Sequence, residues 1–184
     1  MRIALYIIAG LVLLILIIGL AAPRDFGLER QVVVNRPKAE VFGLMKSLRF
    51  QDQWSVWGEM DPDMTTEYRG TDGTVGFVSA WEGSDDLGKG EQEIINIVEG
   101  ERVDFELRFE EPWESTSRAY LITEEVGENQ TLVTWGFHGR MPFPMNIMLL
   151  FMNMEGALAD DFERGLERMK AMVETQPESI PLEE

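Results

Sequence analysis

His138 is the only imidazole in this 184-residue chain, and there is no cysteine. Thiolate nucleophiles, disulfides and Cys-based metal sites are therefore excluded, and acid–base chemistry falls to carboxylates and one ring. His138 follows Val133, Trp135 and Phe137, which alternate with Thr134 and Gly136. Alternation puts the imidazole on the face opposite those apolar residues. A catalytic imidazole wants an orienting carboxylate and access to substrate, so a solvent-facing strand residue is the simpler reading. Glu110, Glu111 and Glu114 surround Pro112-Trp113 and read as a charged turn. Asp61-Pro62-Asp63 opens like a calcium loop but lacks the glycine, the third ligand and the closing glutamate, so no metal is expected there. Asp160 and Asp161 each reach Arg164 across one helical turn, an ordinary surface pairing. Glu82, beside Trp81, is the carboxylate to inspect for burial, although no basic partner stands out. Phosphate-binding, dinucleotide, serine-nucleophile and zinc-protease motifs are all missing. No catalytic residue is assigned and no cofactor is implied.

The richer set is apolar: Trp54, Trp57, Trp81, Phe105, Phe109 and Trp135, then Phe143, Met148, Phe151 and Met152. Rings supply area and shape, and thioethers adapt to varied guests, as a ligand cavity requires. Each residue taken singly reads more readily as core filling. The last four carry a further reading, contact with lipid or a partner near a cavity mouth.

These residues must be held by an α+β arrangement. Val32-Val33-Val34 marks a strand within 28–35. Pro37 can start a short amphipathic helix through Val41, Phe42 and Met45, with a second helical piece around Phe50 to Trp54. From Met64 to Phe137 tight turns separate strands, and Val103, Phe105, Leu107 and Phe109 alternate with Asp104, Glu106 and Arg108. Connections this short imply antiparallel neighbours. Phe151, Leu158, Phe162, Leu166, Met169 and Val173 form a helical stripe in a long last element over 144–174. A sheet with one apolar face must cover it, and that helix is the only element large enough.

The N-terminus adds an unbroken apolar run, Ile3 to Ala22. At about 1.5 Å per residue it matches the ~30 Å hydrocarbon core of a bilayer. The expected organisation is a transmembrane anchor over 3–22, a linker over 23–27, a domain over 28–174 and a frayed tail over 175–184. A cleaved leader competes, since Gly19 and Ala21 are small and Arg2 is basic, but the run exceeds the ~7–15 residues usual for one. The expectation is a single-pass membrane protein whose domain leans to the outer side, because long domains translocate despite charges such as Arg24, Arg30, Arg36 and Lys38. The formal charge of −17 repels phosphate backbones and makes a nucleic-acid partner unexpected.

Several segments together resemble the START-like, or SRPBCC, superfamily, in particular its polyketide cyclase/dehydrase-type members. They are Val34-Asn35-Arg36-Pro37 with Val41-Phe42, Trp54-Ser55-Val56-Trp57, and Asp61-Pro62-Asp63-Met64. Trp81-Glu82-Gly83 with Gly88 and Gly90 follows, then Thr131-Leu132-Val133-Thr134-Trp135. The last match is Asp161-Phe162-Glu163-Arg164-Gly165-Leu166 with Met169-Lys170. The resemblance covers about Leu28 to Glu174 and implies a helix-grip fold, a curved antiparallel sheet around a long C-terminal helix with a cavity between them. It implies no single activity. The leading expectation is a membrane-anchored binding module for a hydrophobic small molecule or lipid, with the aromatic and methionine set lining the cavity. A cyclase- or dehydratase-like enzyme would need a polar residue with a perturbed pKa inside the cavity. A protein-interaction module would have a filled core.

Overall fold

The computed structural model describes residues 2–85, 87–112 and 114–176, with the side chains at 2, 4, 5 and 8 outside the description. Trp113 and most of the expected tail, from 177 onward, also lie outside the described residues. A proline-free stretch, Arg2–Ala21, forms helix α1. Its last carbonyls have no partner within the helix, and the buried Asn146 supplies one: Nδ2 donates to the carbonyl oxygens of Gly19 at 2.7 Å and Ala22 at 3.2 Å.

The membrane placement expected from the sequence is corrected here. Among the described residues no helix is long and apolar enough to cross a membrane. The single-pass anchor, the membrane as partner and the lean toward an outer-side domain fall together on this finding.

Strand β1 (Asp25–Val34) carries the valine run. Leu28, Val32 and Val34 are buried while Glu29, Gln31 and Val33 face outward, the period-two pattern of a half-covered strand. Helices α2 (Lys38–Met45), α3 (Leu48–Trp54) and the single turn α4 (Trp57–Met60) follow. Then come β2 (Thr65–Arg69), β3 (Val78–Glu82), β4 (Lys89–Val98), β5 (Arg102–Glu111), β6 (Ser115–Gly127) and β7 (Gln130–Arg140). All pair antiparallel in one seven-stranded sheet of order β1-β7-β6-β5-β4-β3-β2. Hairpins join β2 through β7 in sequence, and β1 closes on β7 from Asp25 opposite Arg140 to Val34 opposite Thr131.

Helix α5 (Met154–Thr175) covers the apolar face, burying Ala159, Phe162, Leu166, Met169 and Val173. It is shorter than the helix expected over 144–174. Met145–Leu150 is a separate 3-10 helix, and α5 begins afresh at Asn153, whose side chain accepts from the Gly156 N–H at 3.0 Å. Asparagine at an N-cap stabilises a new start, and Asn146 is already committed to α1. The apolar 3-10 turn therefore packs near the end of α1 rather than against the sheet.

Candidate ligand cavity

Antiparallel register places side chains in rows across the sheet, because directly opposed residues share a face. Tyr68 of β2 lies opposite Ser79 of β3, Ser79 opposite Gln92 of β4, and Gln92 opposite Leu107 of β5. The next row is Thr66, Trp81, Gly90 and Phe109. Between these rows and helices α3 and α5 lies a cavity of about 300 Å³. Its sheet wall includes Ser79, Trp81, Gln92, Leu107, Phe109 and Phe137; Gln51, Asp52, Trp57, Leu158 and Phe162 close it from the helical side. Gly90 makes the Trp81 wall possible. A Cβ at Gly90 would sit 2.6 Å from Cζ2 of Trp81 and 2.6 Å from the carbonyl oxygen of Arg108. With glycine there, the indole lies across β4 and meets Phe109 edge-on at 5.6 Å between centroids.

A dense ring cluster bounds the other side. Trp135 stacks on Phe162 at 3.9 Å with an interplanar angle of 22°. Trp54 and Trp57 meet Trp135 edge-on at 5.0 and 5.6 Å. Such geometry adds to plain area burial. Gly165 lets α5 approach, since a Cβ there would be 3.0 Å from Cζ3 of Trp135. The buried indole nitrogens of Trp54 and Trp135 have no hydrogen-bond partner among the described residues.

One end of the cavity is polar, and α3 positions it. Ser47 caps α3 by accepting from the Phe50 N–H at 3.0 Å. Asp72, in the turn between β2 and β3, accepts from the Leu48 N–H at 3.0 Å and from the Ser47 hydroxyl. This anchorage directs Gln51 and Asp52 toward the sheet. Gln92 donates to Gln51 at 3.2 Å. Oδ2 of Asp52 accepts from the Tyr68 hydroxyl at 2.8 Å and the Ser79 hydroxyl at 3.0 Å. Asp52 is solvent-accessible, yet protein surrounds its carboxylate within the concavity. Desolvation raises its pKa above the ordinary aspartate value, outweighing the lowering by the Tyr68 and Ser79 hydrogen bonds. Tyr68 is pushed up to about 12, first by desolvation and then by its bond to Asp52, so it remains a protonated donor at neutral pH. The guanidinium of Arg49 lies over the Tyr68 ring, 3.9 Å from its centroid.

Of the residues singled out from the sequence, Trp57, Trp81, Phe109 and Trp135 line this cavity. Trp54 and Phe105 are fully buried in the neighbouring core and are not among its lining residues. Phe143 packs at the end of α1, where a Cβ on Gly19 would meet its ring at 2.6 Å. Met148 is exposed. Phe151 and Met152 border a separate surface hollow beside Pro23 and Phe26, with Phe151 84% exposed. His138 is exposed on its strand, and Glu82 is exposed and paired with Lys89 at 3.3 Å. Asp61 accepts from the backbone N–H groups of Ser84 at 2.6 Å and Asp63 at 3.1 Å. It thereby ties together the loops carrying the cavity residues Met64 and Leu87. Those N–H groups, Ser84 first, hold its pKa below the usual value.

Sequence reasoning missed Asp52, Gln51, Ser79, Gln92 and Phe162 as cavity residues. Gln51 and Asp52 share a face of α3 with the buried Leu48, a relation that the structure shows and that seven helical residues are too few to announce.

A curved seven-stranded antiparallel sheet gripping a C-terminal helix is a helix-grip fold. Solved structures with the same fold include major latex-like protein 151 from Panax ginseng. It is 16% identical, with a TM-score of 0.54, covering 82% of this chain and 98% of that one. The Mll3558 protein from Rhizobium loti is 17% identical with a TM-score of 0.58, covering 80% of this chain and 96% of that one. The Aha1 dimer from Colwellia psychrerythraea is 14% identical with a TM-score of 0.55, covering 82% and 97%. No protein-family model and no curated protein sequence matches the chain.

Proposed function

We propose that residues 28–174 form a binding protein that takes a hydrophobic small molecule into the cavity between sheet and α5. The observation that carries this reading is the volume of about 300 Å³ left open beside tightly stacked rings. Interiors normally pack to crystal-like density, and a gap of that size matches the lower end of small-molecule sites. The gap weighs against an interaction module with a filled core. Trp57, Trp81, Phe109 and Trp135 are the side chains proposed to touch the guest.

Native mass spectrometry of the full chain, purified without added ligand, tests the reading. A co-purified apolar compound, or saturable binding of the neutral dye N-phenyl-1-naphthylamine, is expected. Absence of both refutes it.

A second reading, a cyclase- or dehydratase-like enzyme of the polyketide cyclase type, draws support from Asp52, a cavity carboxyl with a raised pKa. Under that reading the extracted guest is chemically converted on incubation with the protein, and Asp52→Asn abolishes the conversion. Under the binding reading the guest is recovered unchanged.

A further inference from the structure

Among the described residues lining the cavity, Asp52 is the only charged one. Its Oδ2 is occupied by the Tyr68 and Ser79 hydroxyls, and no hydrogen bond reaches Oδ1 among the described residues. The nearest cation on the same helix, Arg49, is laid over the outer ring of Tyr68 and is not a lining residue. An anionic guest would therefore meet a carboxylate inside the cavity, with the nearby Arg49 cation held outside the lining. A guest carrying a positive charge would meet a partly used carboxylate, in walls of Trp57, Trp81 and Trp135 whose faces attract cations. The overall charge of −17 also draws cations toward the molecule.

We propose that the guest is a cationic amphiphile, an apolar, ring-sized body bearing a protonated amine, with the amine seated on Oδ1 of Asp52. This rests on the cavity reading above and adds the chemical class of the ligand. A volume of about 300 Å³ suits one or two fused rings with a short amine-bearing arm. The carboxylate gives a charge-assisted hydrogen bond, about twice as strong as a neutral one. An alcohol of the same shape can donate to the same oxygen but brings no opposite charge to it.

The test uses three probes sharing one naphthalene body: 2-(1-naphthyl)ethylamine, 2-(1-naphthyl)ethanol and 1-naphthylacetate. Each is titrated into the full chain by calorimetry at neutral pH. The amine is expected to bind about tenfold more tightly than the alcohol, because its charge adds Coulomb attraction to a hydrogen bond that both can make, with the carboxylate weakest. Asp52→Asn keeps the shape, removes the charge and turns one of the two acceptor oxygens into an NH2 donor. It is expected to weaken the amine more than the alcohol and so to close the gap between them. The order of the three probes on the unsubstituted protein decides the matter even if that variant folds poorly. Alcohol binding as tight as amine overturns the amine anchor and leaves the cavity reading standing. So does binding of N-phenyl-1-naphthylamine with none of the three. Failure of all four compounds to bind removes the cavity reading, and the anchor with it.

Discussion

Replacing Trp135 by alanine tests whether the ring cluster beside the cavity is a rigid wall. Trp135 is 2% exposed and is stacked on Phe162 at 3.9 Å. Burying an indole removes roughly 150–250 Å² from water, about 4–6 kcal/mol at about 25 cal/mol per Å². Two terms then act in opposite directions. The vacated space adjoins an existing cavity and cannot collapse onto a packed neighbour, which adds a cavity cost. Against this, the indole N–H has no partner, and removing a buried unsatisfied donor returns roughly 1–3 kcal/mol. The expected loss is about 3–5 kcal/mol, the usual range for large aromatics. Trp135→Phe separates the two terms, because it keeps a ring against Phe162 and discards only the unpaired donor and part of the area. Its cost should be near 1 kcal/mol, at the low end for a core change. Urea unfolding followed by far-ultraviolet circular dichroism measures both without depending on tryptophan emission. Equal losses for the two variants, or a near-neutral Trp135→Ala, would refute the reasoning.

Two further outcomes follow from the polar contacts. Asp52 faces Tyr68 on β2, Ser79 on β3, Asp72 in the intervening turn and Arg49 on its own helix, and its folded pKa is raised by desolvation. A native state that binds the proton more readily loses stability as pH rises from the ordinary aspartate value of about 3.9 through the raised one. Asp52→Asn removes that loss, so its stability relative to the unsubstituted protein should climb through this window and be level on either side. A difference independent of pH between 3 and 8 (roughly the range bracketing the window) would contradict the assignment. Asn153→Ala deletes the cap that starts α5 and should cost about 1 kcal/mol in a urea melt; no loss would mean that the break before α5 has another cause.

Strands β5 and β7 were legible because one face is apolar and the other charged or small, and period two admits one reading. The α5 stripe was legible for the same reason at period 3.6, although its start was not. The segment 145–152 is apolar on nearly every side, so periodicity could not say which neighbour it packs on. Asn146 decides that by bonding two carbonyls more than a hundred residues earlier in the chain. Asp52 was hidden for a different reason. Helix α3 has seven residues, too few for a periodic signal, and its partners Tyr68 and Ser79 lie 16 and 27 residues further on. Only strand register brings those three side chains together. Trp54 and Trp57, three residues apart, looked alike in sequence. One ends α3 in the core and the other opens α4 at the cavity.

The cavity and the core are two halves of one surface, and the short helices decide where the division falls. Along β5, Val103 and Phe105 are fully buried, whereas Leu107 and Phe109, on the same face, border open space. Along α5, Met169 and Val173 are buried at the C-terminal half, while Leu158 and Phe162 reach the cavity from the N-terminal half. Helix α2 packs against β6 and β7 and fills the first half with Val41, Phe42 and Met45. Over the second half lie Gln51 and Asp52 of α3, the single turn α4 and the loops held by Asp61. They do not fill it, so the sheet and α5 stand apart there. A polar edge on that gap is then stable only if its groups bond one another, and the Asp52–Tyr68–Ser79 contacts do that through Oδ2 of the carboxylate.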